Sequence, residues 1–245
     1  MNEIPKIIHY CWFGGNPLPK SAIKCIESWK KYLPDYEIKQ WNEDNFDVKS
    51  CRFVKEAYEA KNWAFVSDYA RIKILYENGG LYFDTDVEVI KSFDDIVDKG
   101  PFMGFESDLW VAPGLGLGAI KGMELYKKTI DLYETISFYD NDGKPMNMTI
   151  CNYITNILAE NGLERNGTKN IQYLNGVYIY PKDYFCPLDY STGKLHITQN
   201  TRSIHQYASS WKTNREKLQH KIIQIIGKEN TTKIVRIINK IKKKI

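Results

Sequence analysis

SDYARIKILYENGGLYFDTDVEVI, residues 67–90, is the stretch on which the reading of the fold turns. Tyr69, Ile72 and Tyr76, with Phe65 before them, recur at i, i+4, i+7 and i+11, one apolar stripe of an amphipathic helix with Asn62 as its N-cap. Gly79 and Gly80 stop that helix. With roughly 100° per residue, Asp68 and Arg71 fall about 60° apart at the edge of the stripe, so both can face a cleft beside the core. Residues 81–83 are short, apolar and aromatic, as in a buried strand, and deliver Asp84-Thr85-Asp86 at its carboxyl end. Open α/β sheets bind their ligands at that end.

Carboxylates beside a core are costly unless something compensates them. A hard divalent cation does so: Mg²⁺ or Mn²⁺ takes oxygen ligands from one or two carboxylates and shares the rest with a substrate diphosphate. Asp84 and Asp86 are therefore the candidate metal ligands.

The spacing S-D-x-x-R-x-x-x-L-x-x-x-G-G-x-Y-x-D-x-D resembles the donor-sugar and metal segment of DXD-type glycosyltransferases. This is the family 32-like group of capsular and yeast-type mannosyl- and galactosyltransferases, related to the clostridial glucosylating toxins. The resemblance implies a GT-A fold, a UDP- or GDP-linked sugar donor, Mn²⁺ or Mg²⁺, and retention of anomeric configuration. It assigns Asp86 to the metal and Asp84 to the donor and a metal-bound water. Asp68 and Arg71 would hold sugar hydroxyls or a phosphate, and Tyr82 would sit against the donor. IPKIIHYCWFGG, residues 4–15, resembles the family's first strand, whose closing tryptophan stacks on the donor base; here that is Trp12. His9 on the same strand reads as a core histidine. SIHQYASSW, residues 203–211, resembles the closing element, making His205 and Ser209 candidates for metal and diphosphate and Trp211 a cover over the phosphates.

A chain of 245 residues with 43% apolar content can bury one substantial core and carry an appendage. The expected organisation is a GT-A domain over 1–211, an α/β mixed sheet flanked by helices, and a tail over 212–245. Five scattered cysteines without metal spacing point to a reduced, cytoplasmic setting without disulfides. Net charge is +4, yet residues 212–245 alone carry 11 Lys and Arg against 2 Glu. Isoleucine stripes run beside those lysines, at Ile222, Ile225, Ile234, Ile238 and Ile241, as in basic amphipathic helices. That tail suits either docking on the body or peripheral attachment to an anionic inner membrane face.

Elsewhere the pattern gives a strand at 4–13, helices at 21–32, 50–59, 123–137 and 148–161, strands at 36–41, 87–90, 102–105 and 177–180, and a loop at 182–187. The run PGLGLGA, residues 113–119, lacks the helix that a dinucleotide loop needs, and is expected to line the acceptor side. The partners expected are a nucleotide sugar and a glycan or lipid-linked saccharide acceptor, not a nucleic acid. Two other readings stay open. Phe83-Asp84-Thr85-Asp86-Val87 also fits the opening of a haloacid-dehalogenase-like phosphatase with an aspartyl nucleophile, and a non-enzymatic glycan-binding or membrane adaptor would use the aromatics and the tail.

Overall fold

The chain opens with strand β1 (Ile7–Cys11), helix α1 (Lys20–Tyr32) and strand β2 (Glu37–Trp41), the β-α-β unit expected at the start. Helices α2 (Arg52–Glu59) and α3 (Trp63–Asn78) lead into β3 (Gly80–Tyr82), β4 (Val87–Val89), the short α4 (Asp94–Val97), β5 (Phe102–Gly104) and β6 (Leu117–Ala119). Then come α5 (Glu124–Thr135), α6 (Ile150–Glu160), β7 (Gln172–Leu174), β8 (Val177–Tyr180), α7 (Lys182–Phe185) and β9 (Ser203–His205). The computed structural model describes residues 3–165 and 170–208. Ser209, Trp211 and the tail over 212–245 lie outside the described residues.

Seven strands form one mixed sheet in the order β2-β1-β3-β6-β5-β8-β7, and β4 pairs with β9 in a separate ribbon. β1 is parallel to β2 and β3, β6 is antiparallel to β3 and β5, and β5 is parallel to β8. Consequently β2, β1, β3, β5 and β8 all point the same way, and their carboxyl ends share one edge. Successive side chains alternate between the two faces. Tyr82, Met103, Leu117 and Ile179 pack into the core beneath α2, α3, α5 and α6, while Leu81, Phe83, Phe102 and Tyr180 pack on the other side with Trp29 of α1. The sheet is thus the middle layer of three.

α3 is buried more widely than a single stripe requires. Val66, Ala70, Ile74 and Leu75 are enclosed as fully as Tyr69 and Ile72, because α2, α5 and α6 pack around a helix that already lies on β1 and β3. A helix so surrounded is apolar almost all round. Asn62 occupies the N-cap position without a side-chain capping bond. At the other end Gly79 and Gly80 take φ of 69° and 99°, and a Cβ on Gly80 would sit 2.7 Å from the Ile7 carbonyl. Only glycine allows the chain to reverse so tightly and enter β3 beside β1.

One expectation changes, and two short strands appear that no pattern marks. Residues 182–187, read as a loop, contain the helical turn α7, and the strands β7 and β9 carry too little alternation to be seen in three residues each.

Candidate active site

The carboxyl edge gathers the predicted residues from four segments. Trp12 leaves the end of β1 half-buried, its indole N–H donating to the Asn16 carbonyl at 2.6 Å, which fixes the ring at the rim. His9, three residues earlier, is fully buried. Its Nδ1 accepts from the Trp41 indole at 3.0 Å and its Nε2 faces the Gly79 carbonyl at 3.0 Å, partners that together suit the neutral Nε2–H tautomer. Burial lowers its pKa to about 4. His9 is a core residue, as expected.

Asp68, Arg71 and Asp84 form one network, with Asp68 and Arg71 buried and Asp84 half-buried. The Arg71 fork reaches Asp84 through both terminal nitrogens, each at 3.2 Å, and one of them also lies 3.2 Å from Asp68. Its Nε donates to the Ser67 carbonyl at 3.1 Å, and the guanidinium lies 4.9 Å from the Tyr82 ring centre. Burial alone would lower the Arg71 pKa, but Asp84, Tyr82 and Asp68 raise it well above the usual value. For Asp68 burial wins instead, pushing the carboxyl up to about 6 against Arg71 and the Ile150 N–H, which donates to Asp68 at 3.2 Å from the start of α6. Removing Arg71 would leave two carboxylates uncompensated, a loss of about 3–5 kcal/mol for buried pairs.

Tyr82 is 1% exposed, and its hydroxyl donates to Asp84 at 3.0 Å. It lies beneath Asp84 and supports that carboxylate. Both Asp84 oxygens are therefore held, one by Tyr82 and both by Arg71. The glycine run differs from its reading. Instead of simply lining the acceptor side, Gly114 packs directly on Asp84: its carbonyl accepts the Asp84 N–H at 3.0 Å, and an added Cβ would lie 2.0 Å from the carboxylate.

Asp86 is oriented from the other side by a strand invisible in the sequence. β9 runs antiparallel to β4 with His205 opposite Val87, which sets the His205 Nε2 3.2 Å from Asp86. The Ala208 N–H donates to the second Asp86 oxygen at 2.9 Å. Burial opposes charge on both groups, yet their mutual attraction wins: the Asp86 pKa is lowered and that of His205 is raised well above 6.5. Ligand atoms of Asp84, Asp86 and His205 all lie within 4.8 Å of one another. Two carboxylate oxygens and an imidazole nitrogen at that spacing fit a divalent cation such as Mn²⁺, for which mixed oxygen and nitrogen ligands are acceptable.

Two neighbours escaped the sequence reading because nothing in their spacing marks them. Glu106 follows β5 on the same edge, and Cys186, whose thiol lies 3.0 Å from the Tyr207 hydroxyl, connects this cluster to a cavity of about 950 Å³ beyond β8. Lys182, Tyr184, Asp189 and Lys194 line that cavity. It stands beside the carboxylates, not on them.

Buried Arg71, paired with Asp68 and Asp84, stands at the carboxyl edge of a mixed sheet in an α/β domain, beside the Asp84-Thr85-Asp86 run. Residues 19–103 match the family described as the glycosyltransferase sugar-binding region containing the DXD motif. The chain is 28% identical over 130 residues to inositol phosphoceramide mannosyltransferase 1 of Schizosaccharomyces pombe, covering 46% of this chain and 39% of that protein's length. An uncharacterized glycosyltransferase of Acanthamoeba polyphaga mimivirus is 24% identical over 223 residues, 85% of this chain and 84% of that one. Among solved structures, the galactosyltransferase LgtC in complex with donor and acceptor sugar analogs aligns over 92% of this chain and 96% of its own, at 14% identity and a TM-score of 0.46.

Proposed function

We propose that the chain is a divalent-cation-dependent hexosyltransferase, moving a sugar with retention of configuration from a UDP- or GDP-linked donor to a glycan hydroxyl. The observation that carries this reading is the convergence of Asp84, Asp86 and His205 within 4.8 Å, on the edge that also presents Trp12. When bound, Mn²⁺ or Mg²⁺ would neutralise the charge that develops on the departing nucleoside diphosphate. Asp86 and His205 would hold the cation, with Asp84 on its sugar side. Trp12 offers a ring at the rim for the base, worth about 1–3 kcal/mol when stacked. Arg71 holds Asp84 in place through two nitrogens, so the site is organised before the donor arrives. Ser209 and Trp211, which follow Ala208 in sequence, are proposed to close over the phosphates.

Because Tyr82 and Arg71 already engage both Asp84 oxygens, that carboxylate suits positioning better than attack, which disfavours the phosphatase reading. The tail, 212–245, is proposed to hold the enzyme at an anionic cytoplasmic membrane face near a lipid-linked acceptor of surface-polysaccharide assembly.

The test is hydrolysis of UDP-glucose, UDP-galactose, UDP-N-acetylglucosamine and GDP-mannose with Mn²⁺, with Mg²⁺, and with EDTA. Turnover of one donor that EDTA abolishes, and that Asp86→Asn reduces by orders of magnitude at a near-unchanged melting temperature, is the expected result. Wild-type turnover in Asp86→Asn would reject the metal assignment.

A further inference from the structure

Among the described residues Glu106 is a carboxylate without a hydrogen-bond or ion-pair partner, in a place where one is expensive. It follows β5, two strands from β3 in the sheet order, so about 10 Å of sheet separates it from the Asp84 segment along the same edge. The Phe105–Val111 bridge and the bond from the Glu106 N–H to the Trp110 carbonyl, 3.0 Å, hold its backbone firmly. Its residue is largely enclosed, yet among the described residues its side chain has no hydrogen bond and no ion pair. Burial raises its pKa, with His205 and Lys182 pulling the other way. Cys151 on α6 and Tyr207 after β9 also feel its charge.

Those neighbours locate the side chain. His205 belongs to the metal cluster, Lys182 lines the 950 Å³ cavity, and Cys151 follows the Ile150 whose N–H binds Asp68. Glu106 thus follows β5 on the carboxyl edge, near enough to His205 and Lys182 to feel both charges. Unsatisfied acceptors that survive in such a place are ones that a ligand satisfies.

Resting on the glycosyltransferase reading, we propose that Glu106 is a substrate-contacting residue, accepting hydrogen bonds from hydroxyls of the transferred hexose. Sugars supply such donors in pairs, and a carboxylate takes two at once. The contact orients the ring against the cavity without touching the nucleotide.

Glu106→Gln keeps the shape and removes the charge. The free protein is expected to melt about 2 °C or more above wild type, because an uncompensated carboxylate has been neutralised. Binding of UDP or GDP with Mn²⁺, measured by titration calorimetry, stays within twofold. Hydrolysis of whichever donor in the panel the wild type turns over falls at least tenfold in kcat. Glu106→Asp, charged but one methylene short, melts like wild type and fails equally in hydrolysis. A variant that melts lower and loses nucleotide binding would show Glu106 to be structural, and unchanged hydrolysis would overturn the sugar contact. If the wild type hydrolyses no donor, the enzymatic reading fails on its own, and the melting shift still decides whether Glu106 stands unpaired for a ligand.

Discussion

Gly114→Ala isolates the part of this site that owes nothing to charge. The new Cβ would lie 2.0 Å from the nearer Asp84 oxygen and 2.9 Å from an Arg71 terminal nitrogen. Carbon and oxygen atoms in ordinary contact stay about 3.3 Å apart, so Asp84 must withdraw by more than an ångström or the backbone must shift. Neither is easy. Asp84 is tied to Tyr82 and to the Arg71 fork, and the Gly114 carbonyl is bonded to the Asp84 backbone. Gly114 has an ordinary backbone conformation, so alanine brings a steric problem and no conformational one. Overpacking of this kind costs about 1–3 kcal/mol, which for a chain of this length lowers the melting point by roughly 3–10 °C. The functional loss should be larger, since misplacing a reacting constellation by about 1 Å reduces turnover around 10²-fold. Steady-state hydrolysis of the accepted donor, with Mn²⁺ titrated in the same assay, is the measurement. Turnover within threefold of wild type would mean that Asp84 needs no such exact seat, and would remove it from the reacting geometry.

Trp12→Ala should weaken UDP or GDP binding by the stacking contribution, ~1–3 kcal/mol, in calorimetry with Mn²⁺ present; equal affinity in a stably folded variant would make Trp12 a packing residue. In metal-free protein the Asp86–His205 pair stabilises the fold with a defined pH dependence. The folded pKa of His205 is raised, so its contribution is complete below about pH 6.5 and declines as pH rises through the elevated value. The melting gap between wild type and His205→Gln should accordingly narrow from pH 6 to pH 9, and a gap constant over that range contradicts the ion pair. For the tail, the full chain should sediment with vesicles rich in phosphatidylserine and release in 0.5 M salt, since each basic residue near the surface contributes about 1 kcal/mol that salt screens. Protein that stays in the supernatant at low salt would leave residues 212–245 without a membrane role.

Local pattern revealed this site only where the chain itself carries the geometry. Asp68, Arg71, Asp84 and Asp86 lie within nineteen residues, and a helix, a double-glycine reversal and a strand suffice to bring them together, so their spacing was readable. His205 was identified by its neighbours in sequence alone, because its position depends on β9 pairing with β4 across more than a hundred residues. Glu106 gave no signal at all. A single Glu after Phe102–Gly104 looks like any strand-ending charge, and only the parallel alignment of β5 with β3 and β8 sets it on the edge that carries the carboxylates. Tyr82 lies in a run that reads only as a buried strand, and a tyrosine beside a site can face the ligand or carry its neighbour. Its hydroxyl bonds to Asp84 at 3.0 Å, a partner that strand pattern alone does not name. What a pattern encodes is direction along one element, whereas which group a side chain serves is settled by elements that arrive later in the chain.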